Sequence, residues 1–448
     1  MLAVRSSGTR SLSPTLALCL ALLGAAAMIY YHEGLFIPRV VAIGKANGYG
    51  NDFSFGNDFY QVWLSSRELM QRRLDPYSLQ VTRELQTGLY GRTLDSSRPR
   101  DPIDQRRFPY PAFADLLFWP AAEFPFAEVR VWIVCMLAAL TLASVAIWFR
   151  SLDSRPGWKW IAVAALLTIS SYPVLEGLYA VQLGLLVAFL LAASLLALRR
   201  NRLVLAGFLM ALTTVKPQVA ALTILYVLLW CLHDWRARGR WGIGFFATMT
   251  LLVGASLAVL PHWIPSWIHT VLAYRHYTSP PVVTEVLTSP LGPRLAGPAT
   301  TVLTVASIII AAVVSLRHRA APADTSSFWF TVGMLLSITT ITILPGPAVY
   351  DHIILLPAIL LVVRNRADLG AASGPARLLL RIGAVVLFWP YFAAAVLVAL
   401  HPWIAPASFQ SILAISVPFR AAGSLPFAVL ALLAWTWRVK SPTYQEAA

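Results

Sequence analysis

The chain of 448 residues is 58% hydrophobic and only 12% charged, where a soluble protein of this size carries roughly a quarter charged residues. This excludes an ordinary soluble domain, and a mean hydropathy of +0.67 fits a chain that crosses a bilayer repeatedly. The net charge of +15 is no nucleic-acid footprint, because the basic residues sit at the ends of apolar runs, where they orient helices against anionic lipid.

Apolar runs of about 17–23 residues recur, each long enough to cross a membrane as a helix. Twelve spans are predicted, at 14–31, 128–149, 158–175, 178–198, 203–215, 217–232, 242–261, 299–316, 328–344, 350–363, 378–400 and 412–437. The first could be read as a cleaved signal peptide. An uncleaved anchor fits better, since Met28 to Tyr31 continue the apolar run and the next charge is Glu33. Residues 203–232 form one long run broken at Lys216-Pro217. Proline ends or kinks a helix, so two short helices joined by a tight turn are expected. Cys19, Cys135 and Cys231 lie in or beside apolar runs without metal spacing and read as small buried hydrophobes.

The basic clusters orient these spans. They are Arg5/Arg10, Arg150/Arg155/Lys159, Arg199/Arg200/Arg202, Arg236/Arg238/Arg240, Arg317/Arg319, Arg364/Arg366/Arg377/Arg381 and Arg438/Lys440, one at every second loop. About nineteen Lys/Arg fall on that side against about three in the short loops opposite, a positive-inside bias that places both termini in the cytoplasm. The reading is a single integral membrane domain over 1–448, with a large extracytoplasmic loop at 32–127 and a second at 262–298.

Within the large loop, residues 59–73 predict a helix. Phe59, Val62, Trp63, Leu69 and Met70 form an apolar stripe, with Arg67, Glu68, Arg72 and Arg73 off it. It stops at Asp75-Pro76. Such a helix could lie on the membrane surface. Residues 112–124, between Pro111 and Pro125, are apolar but too short to span, and predict a re-entrant or interfacial helix.

Asn57-Asp58-Phe59-Tyr60, then Leu74-Asp75-Pro76-Tyr77, then Phe108-Pro109-Tyr110-Pro111 resemble glycosyltransferase family 87. Gln182 before a leucine-rich span and Thr214-Val215-Lys216-Pro217-Gln218 extend the likeness. The resemblance runs from about residue 14 to residue 364. It departs from the pattern at Val181, where the family often has glycine, and at Gly184, where a polar residue is common. The family includes polyprenol-phosphate-mannose-dependent α-mannosyltransferases of the GT-C fold. The resemblance therefore implies an all-α polytopic bundle that moves one sugar, mannose in the best-known members, from a lipid phosphate to an acceptor hydroxyl outside a bacterial plasma membrane. The partners are then a polyprenyl-phosphate sugar, a lipid or glycan acceptor and the bilayer, with no nucleic acid. The lipid-linked sugar is a substrate, and no cofactor is expected. The lack of a Gly-rich phosphate loop agrees with this. A transporter or flippase of lipid-linked glycans is the alternative. It would show repeated halves and mid-membrane ionisable residues, and neither is visible. A non-catalytic membrane assembly partner is a third reading.

An inverting transfer needs a carboxylate to take the acceptor's proton, and the resemblance carries that role to Asp58; the competing reading is a helix N-cap. Asp52, in the parallel words Gly50-Asn51-Asp52-Phe53, is a second candidate. Asp75 reads as a turn former before proline and only secondarily as a site residue. Lys216, a cation in an apolar setting, is a candidate for the donor phosphate. His352, beside Asp351 at a helix start, could meet the leaving phosphate or the sugar, against an Asp351 helix cap. Glu176 and Gln182 flank a short turn and could bind sugar hydroxyls. Arg106 and Arg107, with Arg275 and His276 in the second loop, could meet phosphate or acceptor, against plain solvation. No cluster has metal-ligand spacing, and no metal is expected.

Overall fold

The computed structural model describes residues 12–50, 54–95, 97–278, 282–346, 348–404 and 416–440. Among them the ordered elements are helical and no β-strand occurs. Six helices are long and apolar enough to cross a membrane: Pro14–Ala46, Phe126–Ser151, Trp235–Val259, Pro293–Arg317, Gly374–Trp403 and Val417–Arg438. The pair Trp158–Ile169 and Tyr172–Tyr179, bent by 54°, makes a seventh if counted as one span. The twelve expected spans are therefore not matched one for one. Leu183–Arg199, Pro217–His233 and Ser326–Thr342 are 17 residues each, about 26 Å of helix, and Leu203–Leu212 is shorter.

The short helices are the inner ones. Leu183–Arg199 and Ser326–Thr342 are buried on nearly every side, so periodicity gives them no polar face to mark their ends. The long helices turn large apolar residues outward, among them Leu251, Val302, Ile309 and Val385. Apolar exposure on this scale fits helices that face lipid. Cys19 and Cys135 lie on such exposed faces, and only Cys231 is buried. Small residues set one close helix contact. A Cβ at Gly207 would fall 2.1 Å from Trp241 O, and one at Gly244 would fall 2.2 Å from Val204 O, so two glycines let Leu203–Leu212 and Trp235–Val259 touch backbone to backbone.

The break at Lys216-Pro217 is real. A 3-10 turn over Thr213–Val215 leads into Pro217, which starts the next helix where its missing N–H is harmless. The helix predicted over 59–73 is Asn57–Arg72. Its apolar stripe packs inside the protein against Phe113–Ala122, with Phe59 edge-on to Phe118 and Trp63 Nε1 donating to Phe124 O at 3.0 Å.

The two ends of the bundle differ in chemistry. At one end Arg199 donates to Arg150 O, Arg364 donates to Leu152 O, and Arg238 donates to Arg319 O and Ala320 O. The helices ending near these arginines begin at Gln182, at Lys216 and just after Asp351. Basic loops and a polar site thus occupy opposite ends of the same helices.

Candidate functional site

Asp58 lies in the first turn of Asn57–Arg72 but does not cap it. The cap is Gly56, in a left-handed conformation at φ +77° with no side-chain bond. Gly56 N donates to Tyr179 O at 2.8 Å and Asp58 N to Ala180 O at 3.2 Å, so the helix start is pinned to the end of Tyr172–Tyr179. This frees the Asp58 carboxylate for other partners. Oδ1 accepts from Arg106 Nη1 at 3.0 Å and Oδ2 from Gln182 Nε2 at 2.6 Å. Tyr110 OH in turn donates to Gln182 Oε1 at 3.4 Å. Arg106 is held from behind by Tyr90 OH at 3.0 Å and by Asp104 at 3.6 Å. Burial pushes the Asp58 carboxyl above the usual carboxylate range, while Arg106 and then Lys216 pull it back down.

Two residues beside Asp58 carry backbone strain. Arg106 sits at φ +53° and Val181 at φ +54°. The left-handed region costs a residue with a Cβ roughly 1–2 kcal/mol, and a β-branched residue there is rare. The strain at Val181 aims the following Gln182 at Asp58. Glycine, which the family often has at this position, would adopt the same φ without that cost.

A second ion pair completes the cluster. Lys216 Nζ donates to Asp351 Oδ1 at 2.7 Å and Oδ2 at 2.8 Å, and lies 4.8 Å from the Tyr350 ring centroid. The expected alternative for Asp351, a helix cap, gives way to this pairing. Gly184 packs directly against it, since a Cβ there would fall 2.0 Å from Asp351 Oδ1. Tyr110, Tyr274 and Tyr350 all lie near enough to feel both Asp58 and its charged neighbours.

The other sequence candidates disperse. Glu176 accepts from Tyr172 OH at 3.3 Å and pairs with His32 Nε2 at 3.2 Å; His32 is fully buried in a π-helical turn of the first helix. Arg107 reaches Gln105 Oε1, and its neighbour Arg106 is the one that holds Asp58. Asp75 closes a turn by accepting Tyr77 N at 2.8 Å. It also lines a cavity of about 340 Å³ with Ser266, His269 and Thr270, so the two predicted loops meet there. Arg275 and His276 lie on Trp263–Thr278, with His276 exposed. His352 is buried, its Nδ1 unpartnered, on the wall of an apolar cavity of about 580 Å³. Asp52 lies outside the described residues. Among the described residues no three His, Cys, Asp or Glu converge as metal ligands.

Nothing in the sequence marks Asp351, Tyr274 or Tyr350 as site residues. Tyr110 stands inside the Phe108-Pro109-Tyr110-Pro111 motif, but Tyr274 has no local signal at all.

A polytopic helical membrane protein with a half-sequestered carboxylate, one buried and one half-buried cation and three nearby tyrosines at one end has the equipment of a group-transfer enzyme. The chain belongs to glycosyltransferase family 87, whose family model matches residues 108–345, more than half of its length, and it is a glycosyltransferase. The match takes in Gln182 and Lys216, while Asp58, Arg106 and Asp351 fall outside it and join the site through geometry. No curated protein and no solved structure matches the chain.

Proposed function

We propose that the protein is an inverting hexosyltransferase that moves a sugar, mannose first among the candidates, from a polyprenyl-phosphate donor to a hydroxyl of a lipid or glycan. The observation that carries this reading is that Asp58 and Lys216 lie near enough for their charges to act on each other, both largely withdrawn from solvent. One is a carboxylate able to take a proton, and the other a cation suited to phosphate. In the reaction the acceptor oxygen attacks the anomeric carbon and its proton passes to Asp58. The bond from that carbon to the phosphate oxygen breaks, and its electron pair stays on the phosphate. Arg106 and Gln182 keep Asp58 ionised and aimed, a general-base arrangement worth roughly 10²–10⁴ in rate.

The apolar cavity supports a lipid-borne donor. Its walls run from Tyr172 and His352, toward the site end, to Arg364 and Arg366 at the basic end, room for part of an isoprenoid chain along the bundle. His352, with its free Nδ1, stands where the chain would approach its phosphate. The positive-inside pattern then puts the basic loops and both termini in the cytoplasm of a bacterial cell and Asp58 on the outer face. Nucleotide sugars are absent there, so a lipid carrier is required.

The deciding experiment is transfer of radiolabelled mannose from polyprenyl-phosphate-mannose by the purified protein, with membrane lipid extracts as acceptors and the anomeric configuration of the product read by NMR. An inverted product, lost in Asp58→Asn, supports the reading. A retained configuration removes the single-displacement mechanism, and transfer from a nucleotide sugar removes the lipid donor.

A further inference from the structure

Lys216 is not a free cation awaiting phosphate. Asp351 spans it with both oxygens, and the two side chains keep only 7% and 1% of their exposure. The neighbouring helix is shaped around this pair. At Gly184 a Cβ would fall 2.0 Å from Asp351 Oδ1 and 3.5 Å from Lys216 Nζ, so any larger residue must push the carboxylate away. The residue that precedes this helix, Gln182, holds Asp58, and Asp58 and Asp351 oppose each other's charge. Asp58 and Asp351 thus each face a cation, with Asp104 behind Arg106, and the cluster has no spare positive charge before any substrate arrives.

We propose that Asp351 is the resident counter-anion of the phosphate site, a positioning residue that fixes Lys216 and limits its grip so that the spent carrier can leave. The inference rests on the lipid-phosphate reading above. A sugar phosphodiester carries one negative charge. When the sugar departs, the remaining lipid monophosphate has a second ionisable oxygen and binds a bare ammonium more tightly than the donor does. An ammonium has three N–H groups. Asp351 takes two of them at hydrogen-bond distance and cancels the charge, leaving one for phosphate. Gly184 is the space that permits this arrangement.

The test measures binding of radiolabelled polyprenyl monophosphate against uncharged polyprenol, using the full chain in nanodiscs, alongside donor KM, kcat and inhibition by the monophosphate. Asp351→Asn keeps the shape and removes the charge. Its preference for phosphate over alcohol is expected to rise on the order of tenfold, with a lower donor KM, a lower kcat and stronger product inhibition. Gly184→Ala, which displaces the carboxylate without altering either charge, shifts the same quantities in the same direction, and Lys216→Gln abolishes the preference. If wild type prefers the phosphate and Asp351→Asn binds it no tighter, the counter-anion role is overturned and the donor reading stands. A fall in kcat with the preference unmoved overturns it equally, as a merely structural effect. Wild type showing no preference for phosphate over alcohol sinks the donor reading and this role with it. Should Gly184→Ala fail to fold, Asp351→Asn alone decides.

Discussion

Two ion pairs meet at this site, and they are built differently. Asp58 and Arg106 keep 15% and 17% of their side-chain exposure, and each Asp58 oxygen accepts one bond, from different partners. Asp351 and Lys216 are nearly dry, and both Asp351 oxygens go to the same nitrogen. The first pair joins a helix start to a loop residue 48 positions on, whereas the second joins a break between inner helices to a turn 135 positions away. A carboxylate that must exchange a proton needs lone pairs to spare and a path to its substrate; one that only holds a charge in place needs neither. The contrast fits the proposed roles, chemistry at Asp58 and support at Asp351.

The contrast breaks most readily at Asp58. Asp58→Asn is expected to lower the transfer rate by about 10²–10⁴ while the protein elutes and melts as wild type. Asp52→Asn, measured beside it, should retain activity; the reverse result would move the base to Asp52. Next in size is the cost of orphaning the dry pair. Lys216→Gln leaves Asp351 buried without its cation, and a loss of roughly 3–5 kcal/mol in thermal stability follows. The double variant Lys216→Gln/Asp351→Asn should recover most of that stability but none of the activity. A smaller effect sharpens the role of Arg106. The base works when ionised, and burial holds its pKa high while Arg106 lowers it, so the rate falls as pH drops through that raised value. Arg106→Gln removes the lowering influence, and the acid limb of the pH–rate profile should move to higher pH. The least effect belongs to Val181→Gly. Relief of left-handed strain, roughly 1–2 kcal/mol, opposes the loss of a fully buried side chain worth roughly 1.5–3 kcal/mol. A change in stability of more than a few kcal/mol would mean that the turn is not strained as described.

The sequence made some of this legible. Lys216-Pro217 announced its break because proline leaves few alternatives. The stripe from Phe59 to Met70 announced its helix, and Asp58 stood out as a carboxylate beside it. The number of crossings was not legible in the same way. Inner helices such as Ser326–Thr342 are apolar on all sides, and hydropathy cannot distinguish a full span from a shorter buried rod. Partners were the hardest to see. Lys216 meets Asp351, Asp58 meets Gln182 and Glu176 meets His32 across separations that no periodicity encodes. Val181 and Gly184 appeared only as departures from a pattern. In three dimensions the first bears a strained turn and the second clears space for a carboxylate.

The first helix carries a consequence of its own. Pro14–Ala46 has 33 residues, about 50 Å of helix, against a hydrocarbon thickness of about 30 Å. Its π-helical turn at Tyr31–Phe36 comes after the first 17 residues, where the apolar stretch gives way to His32 and Glu33. There His32 grips Glu176, on the same short helix whose last carbonyls hold the backbone of Gly56 and Asp58. The helix is long enough to stand through a membrane surface as a post, and the loop that carries Asp58 hangs from it through Glu176. Hydrophobic mismatch acts directly on such a post. A thicker or thinner bilayer would raise or lower the point at which lipid releases it, and with it the level at which a membrane-borne acceptor meets the base.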